Sequence, residues 1–427
     1  MAVASALIGM LVLFFMGTPV AFALLMSTLL YFVVEGSEPM VLLVQRMTGG
    51  LSAVSLLAVP FFIMAGVFMN RSGIATRLLN LAGLLTRRMH GGLAQANVML
   101  SVLMGGLSGS NIADSAMSAK LLVPRMTEQR YPVGFSSAVT AASSLITSTI
   151  PPAIAMIVYG YVNNVSIGRL FMAGVIPGVI MAMLLMVAVN LIARRRGFQL
   201  PQREPVPKGQ WLSITRAGLL ALVLPVLVIG GIRFGLFTPT EAGAMAVLYS
   251  LFVGVFVYRE LRPTTIAQAT RESMLASVNV LFIICVASAF ARFLTWEGIP
   301  QQMTELLSEH VSGPIAFLLL ANLLLLAIGM FLEGNAILIV LSPLLAPVAA
   351  EFGIDPVHFG IIFIINASIG TITPPMGTVM FTTCSITGAG IGTFIREVLP
   401  FWGVMLVVLL LVTFFPALAL TLPNLMF

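Results

Sequence analysis

Long apolar runs separated by short polar interruptions fill almost the whole chain, and their lengths predict membrane helices. In the first half they cover residues 1–15, 18–34, 52–69, 91–124, 132–162 and 170–193. In the second half they cover 214–234, 238–258, 276–294, 314–350, 357–386 and 398–420. A basic helix is predicted over 74–90. The stretch 194–213, with Arg194–Arg196, three prolines and Lys208, reads as the linker between two halves. Two of the apolar runs are interrupted in the same manner, by "TSTIPPAIAM" at 147–156 and "TITPPMGTVM" at 371–380.

Composition turns these helices into a class. With 59% hydrophobic residues, 8% charged residues and a mean hydropathy of +1.07, a chain of 427 residues reads as an all-α polytopic membrane protein. The net charge of +6 does not point to nucleic acid, because membrane proteins gather Lys and Arg in cytoplasmic loops. Cys285 and Cys384 lie in separate apolar runs and predict no disulfide, and His90, His310 and His358 are too scattered for a metal cluster. The N-terminus lacks a basic region ahead of its apolar run and reads as the first membrane segment.

The halves repeat. "GTP" at 17–19 matches "FTP" at 237–239, and "SGSN" at 108–111 matches "LEGN" at 332–335. "YPVGF" at 131–135 echoes "DPVHF" at 355–359, and Pro151-Pro152 matches Pro374-Pro375, all at offsets of 220 to 225 residues. An ordered series at a nearly constant offset indicates an internal duplication, 1–193 and 214–427. In each half the segment before the broken run (91–124 and 314–350) carries a polar, glycine-containing tip. Its arms, about 20–27 Å as helices, are short or marginal for a ~30 Å hydrocarbon core and suit a re-entrant hairpin; the arm 314–332 is long enough to span, and its reading rests on the repeat. Five crossings and one hairpin per half give about ten crossings in all. The odd number inverts the second half relative to the first. With both termini outside, 17 of the 21 Lys and Arg residues fall on the cytoplasmic side, leaving Arg46, Arg169, Arg233 and Arg292 outside.

Paired prolines explain themselves in this frame. Proline is disfavoured inside a helix and favoured in its first turn, so "IPP" and "TPP" are read as points where a span unwinds and a half-helix restarts. Unwound backbone at membrane depth needs buried protein or a wet cavity around it, where carbonyls can take a bare cation and half-helix N-termini an anion. Ser143, Ser144, Thr147, Ser148, Thr149, Asn366, Ser368, Thr371 and Thr373 add side-chain oxygens there. The hairpin tips add Ser108, Ser110 and Asn111 on one side and Glu333, Gly334 and Asn335 on the other. Asp114 reads two ways: as a charged ligand or proton carrier, or with Asn111 as a helix-capping pattern.

"GGLSGSNIADSAMSAKLLVPRM", "GLFTPTEAGAMAVLYSL" and "EFGIDPVHFGIIFIINASIGTITPPMGTVMFTTCSITG" resemble the large membrane subunit of TRAP transporters, the tripartite ATP-independent periplasmic systems. The resemblance spans nearly the whole chain. It implies an elevator-type secondary transporter in a bacterial or archaeal cytoplasmic membrane, importing an organic acid with sodium. It further implies a small membrane subunit and a soluble periplasmic binding protein as partners, and no cofactor beyond the coupling ions. The implied sodium sites map onto Ser108, Asn111, Ser144 and Thr147 at the first tip and break, and onto Gly334, Asn335, Asn366, Thr371 and Thr373 at the second. Substrate contacts are expected at Ser110, Asn111, Asp114, Thr149, Asn335 and Thr373. A stand-alone sodium/anion symporter of related architecture fits the same physics. An intramembrane enzyme would need a nucleophile–base pair, a metal motif or paired acids, and the sequence offers none at recognisable spacing.

Overall fold

A computed structural model of the chain describes residues 2–36, 39–198, 208–311 and 313–427. Among the described residues the chain is helical throughout, with no β-strand. The first half forms α1 (Ala2–Phe15), α2 (Val20–Glu35), α3 (Val41–Leu51), α4 (Ala58–Arg71) and α5 (Ile74–Thr86). It continues with α6 (Gly92–Ser108), α7 (Asn111–Glu128), α8 (Val133–Ser144), α9 (Ile154–Val162) and α10 (Ile167–Arg195). The second half forms α11 (Lys208–Arg233), α12 (Pro239–Phe252), α13 (Pro263–Trp296), α14 (Ile299–His310) and α15 (Pro314–Gly329). It ends with α16 (Gly334–Glu351), α17 (Pro356–Gly370), α18 (Thr378–Thr387), α19 (Ile391–Phe414) and α20 (Ala417–Met426). Among the described residues seven stretches are long and apolar enough to cross a membrane.

The helix boundaries of the halves follow each other. The hairpin arms α6 and α7 answer to α15 and α16, and the broken pair α8 and α9 answers to α17 and α18. One difference is conspicuous: α3 and α4 are separate, with Ala53 extended between them, whereas their counterpart α13 runs unbroken for 34 residues. Two helices, α3 and α14, and the start of α13 escape an apolar scan. The starts of α13 and α14 carry polar residues ("PTTIAQATRES", "IPQQMTELLSEH"), and α3 is short. The expected span 398–420 is instead α19 and α20. Phe415, ahead of Pro416, leaves the helical region at φ −119°, ψ 81°, as a residue before proline tends to do. Of the linker, residues 199–207 lie outside the described residues, and 194–195 and 208–213 belong to the flanking helices.

Burial places the broken runs at the centre. In α8 every residue from Gly134 to Ser144 is buried, and in α17 every residue from Val357 to Gly370. The peripheral helices do the opposite, exposing Ile8, Val33, Val226, Leu323 and Phe256. Lipid is as apolar as these side chains, so an outward apolar surface costs nothing in a bilayer. Close central packing comes from small residues: a Cβ built on Gly370 would lie 2.6 Å from the Cα of Gly329, so α15 and α17 touch backbone to backbone.

Candidate functional site

The first tip turns at Gly109, whose positive φ of 57° suits glycine and whose carbonyl accepts a hydrogen bond from Ile154 N–H, 3.3 Å away. Ser110 is the N-cap of α7: its hydroxyl accepts from Ala113 N–H at 3.4 Å. The capping role thus falls one residue ahead of Asn111, and Asp114 does not reach back to complete a box. Its carboxylate crosses to the other arm, where Ser101 Oγ donates to Oδ2 at 2.9 Å, while the buried Oδ1 has no hydrogen-bond partner. The side chain of Ser108 lies outside the described residues.

The breaks differ from their sequence reading in one detail. The prolines do not open the new half-helices; they lie in the unwound segments, and α9 and α18 restart at Ile154 and Thr378. A residue followed by proline is disfavoured in the helical region, which weakens the first proline of each pair as a helix start. Ala153 (φ −121°, ψ 138°) and Gly377 (φ −53°, ψ 114°) occupy the N-cap positions instead. The hydroxyls around each break mostly donate back along the chain: Ser144 to Ala141 O, Thr147 to Ser144 O, Thr149 to Leu145 O, Thr371 to Ser368 O and Thr373 to Ile369 O. Each such hydroxyl keeps its lone pairs free to accept.

Tips and breaks converge across the repeats as well as within them. Gly334 lies against Ala367 and Thr371 of its own break. Asn111 reaches the other half: its Nδ2 donates to Thr371 Oγ1 at 3.2 Å, while its Oδ1 accepts from Ile112 N–H. The two breaks join directly through Ser148 Oγ and Ser368 Oγ, 2.7 Å apart. Asn335 Nδ2 donates to Glu333 Oε1 at 2.8 Å, holding the second tip's carboxylate beside its own helix start. Ser110, Asn111, Ser148, Glu333, Gly334, Asn335 and Ser368 line one cavity of about 30 Å³, room for a water or a dehydrated cation. Of the expected sodium ligands, Asn111, Gly334 and Asn335 meet there.

Asp114, Ser144, Thr147, Thr149, Asn366, Thr371 and Thr373 stand apart from this cavity's lining. Thr373 Oγ1 accepts from Trp402 Nε1 at 2.9 Å, tying the second break to α19. Asn366 Nδ2 donates to the backbone carbonyl and Oδ1 of Asn322 at 3.0 and 2.8 Å, and Asn322 Nδ2 donates to Thr413 Oγ1 at 2.9 Å. In the first half Ser143 Oγ donates to Asn97 Oδ1 at 3.3 Å, and Asn97 Nδ2 donates to Thr140 Oγ1 at 2.6 Å. The sequence reading overlooked Asn97 and Asn322, which support the two breaks from equivalent places in α6 and α15. A lone Asn inside an apolar arm was the available signal. No group of three His, Cys, Asp or Glu side chains placed to hold a metal occurs among the described residues.

Residues 7–418 match the family model described as the tripartite ATP-independent periplasmic transporter, DctM component. Similar proteins include the C4-dicarboxylate TRAP transporter large permease protein DctM of Pseudomonas aeruginosa, 41% identical over 87% of this chain and 86% of that protein. The sialic acid TRAP transporter large permease protein SiaM of Vibrio cholerae is 38% identical over 98% of this chain and 97% of its own length. Among solved structures, the YdaH transporter of Alcanivorax borkumensis shares the fold with a TM-score of 0.63 at 16% identity, covering 88% of this chain and 87% of that one. These relatives are transport permeases rather than enzymes. The buried polar meeting of two hairpins with two broken helices in a multi-pass helical chain, and a family match over almost its whole length, lead to one conclusion: the chain belongs to the DctM family of TRAP transporter large permease subunits.

Proposed function

We propose that the chain imports an organic acid anion together with sodium across a bacterial or archaeal cytoplasmic membrane. A periplasmic binding protein delivers the anion, and a small membrane subunit completes the complex. The observation that carries this reading is the convergence of both tips and both breaks on one cavity of about 30 Å³. Hydroxyl and amide oxygens from Asn111, Ser148, Asn335 and Ser368, with the carbonyls freed by unwinding, are a donor set for a hard monovalent cation. Sodium sites at each tip-and-break pair, with Ser144, Thr147, Asn366 and Thr373 behind them, are part of the proposal. Glu333, Asp114 and the half-helix N-termini supply opposite electrostatic demands, so a cation bound first would favour an anion bound next. Relatives named for C4-dicarboxylates and for sialic acid favour a carboxylate substrate.

A cavity of this size is far below the ~300 Å³ or more of a small-molecule site, so substrate binding needs the tips to separate from the breaks. Rigid movement of the hairpins and broken helices against the peripheral helices, as in an elevator, supplies that opening. The repeats 1–193 and 214–427, inverted relative to each other, provide two halves related by a pseudo-two-fold axis for such a cycle. The test is reconstitution in liposomes with the small subunit and a loaded binding protein. Accumulation of the organic acid should require all three proteins and an inward sodium gradient. Equal uptake with potassium in place of sodium and a proton gradient present would refute sodium coupling, and uptake by this chain alone would favour the stand-alone symporter.

A further inference from the structure

Three cavities follow one another along the same two helices, α9 and α16. The innermost, at the tips, touches Ile154 and Ala155 of α9 and Gly334 to Leu338 of α16. The next, of about 270 Å³, is lined by Tyr161, Val162, Ile339 and Pro343, and on the facing side by Ile284 and Ser288 of α13. The widest, of about 640 Å³, continues past Val162 and Pro343 to Ala350 and is closed on the facing side by α3 and α13. Its volume falls in the range of sites that take small molecules. Arg46 and Arg292 are the charged residues in its lining, and no carboxylate lines it. Both guanidinium groups are exposed, and no ion pair joins either to an acid among the described residues, unlike Arg71, Arg77, Arg169 and Arg196. Gln45, Asn163, Asn164, Ser288 and Thr295 add neutral polar groups.

We propose that this cleft is a receiving site for a small carboxylate, held by Arg46 and Arg292 at its mouth before it moves inward along α9 and α16 to the tips. The proposal rests on the reading of the chain as an anion carrier. Two guanidinium groups with no acid paired to them, Arg292 also lying 5.7 Å from the centre of the Trp296 ring, make a local positive potential, and a concave wall concentrates it. Arginine presents planar paired donors that match a carboxylate. The step to the tips then needs no further charge, because Ser288, Tyr161 and Pro343 lead from a wet cleft into the protein's polar centre. The receiving site also accounts for an inner site without any arginine at tip or break. Charge captures the anion outside, and helix ends and hydroxyls hold it within.

The test needs no knowledge of the natural substrate. On a background without Cys285 and Cys384, Ser288→Cys is reacted in phosphatidylcholine nanodiscs with an anionic sulfonatoethyl and a cationic trimethylammonioethyl thiosulfonate. The anionic reagent should be favoured about three- to tenfold relative to a free thiol in the same buffer, as two screened charges within a Debye length predict. Arg46→Gln with Arg292→Gln should abolish the preference, and Arg→Lys at both should keep it. A wild-type ratio equal to that of free thiol overturns the proposal. So does a preference that vanishes when phosphatidylglycerol is added, which would assign the cleft to lipid headgroups. Loss of binding-protein association in the double Gln variant with the reagent ratio unchanged would assign the arginines to protein docking instead. In liposomes the double Gln variant should raise the KM for uptake with the maximal rate kept. A wild type with the reagent preference but no sodium-dependent uptake would overturn the transport reading and leave the anion site standing.

Discussion

Gly370→Ala should damage this protein, and Gly329→Ala should not, although the two glycines face each other. A Cβ on Gly370 would lie 2.6 to 2.7 Å from the Cα, C and O atoms of Gly329, about 1 Å inside ordinary contact. The obstruction is backbone, so α15 and α17 must part. A Cβ on Gly329 meets its nearest neighbour, the Cα of Gly370, at 3.1 Å, which a shift of a few tenths of an ångström relieves. Overpacking of the first kind costs about 1–3 kcal/mol, and the gain in helix propensity on replacing glycine returns at most about 1 kcal/mol. Gly370→Ala should therefore lose roughly 1–2 kcal/mol, while Gly329→Ala should stay near zero. A functional loss should accompany it. Thr371 follows directly, and parting by about 1 Å would carry its 3.2 Å bond from Asn111 out of hydrogen-bonding range. The assay pairs the thermal unfolding midpoint in detergent with the half-saturating sodium concentration for uptake in liposomes. Gly370→Ala should lower the first and raise the second. Unchanged values for Gly370→Ala, or a larger defect in Gly329→Ala, would refute the argument from backbone contact.

Asn111→Ala and Asn335→Ala should each raise the half-saturating sodium concentration roughly five- to a hundredfold with normal membrane insertion, a loss of about 1–3 kcal/mol at a buried polar site; unchanged sodium dependence per amount of protein would remove these side chains from the ion site. Asn322→Ala leaves the buried amide of Asn366 without its side-chain acceptor and should cost about 1–3 kcal/mol in stability. An unfolding midpoint equal to wild type would count against that support. A single cysteine at Lys208 should react only with permeant reagents and one within 297–311 with impermeant ones, and extracellular labelling at 208 would sink the inverted arrangement of the halves.

Much of the architecture could be read from hydrophobicity and repetition. The helix ends around both tips and both proline pairs lie close to the bounds of the predicted apolar runs, because long apolar runs and proline pairs act locally. The amphipathic starts of α13 and α14 were hidden, since half their residues are polar and no apolar window detects them. The site was legible in its parts but not in its wiring. Asn111 and Thr371, or Ser148 and Ser368, are joined by folding over more than two hundred residues, and no local pattern encodes which half a tip will touch. The supporting asparagines, Asn97 and Asn322, were missed because each sits alone in an apolar arm, where a single polar residue carries little weight. Ser110 rather than Asn111 caps α7 because Ser110 is the last extended residue (φ −129°, ψ 117°) and Asn111 already the first helical one.

The bonds between the repeats also set a timetable for biogenesis. Asn111 waits for a partner 260 residues further on, and Ser148 for one 220 residues further on. At a synthesis rate of about 5–20 residues per second, that is roughly 10–50 s during which the first repeat sits in the membrane with its polar centre unmatched. Such a nascent half is a natural substrate for membrane quality-control proteases, and a stall in translation between the breaks should expose it longest.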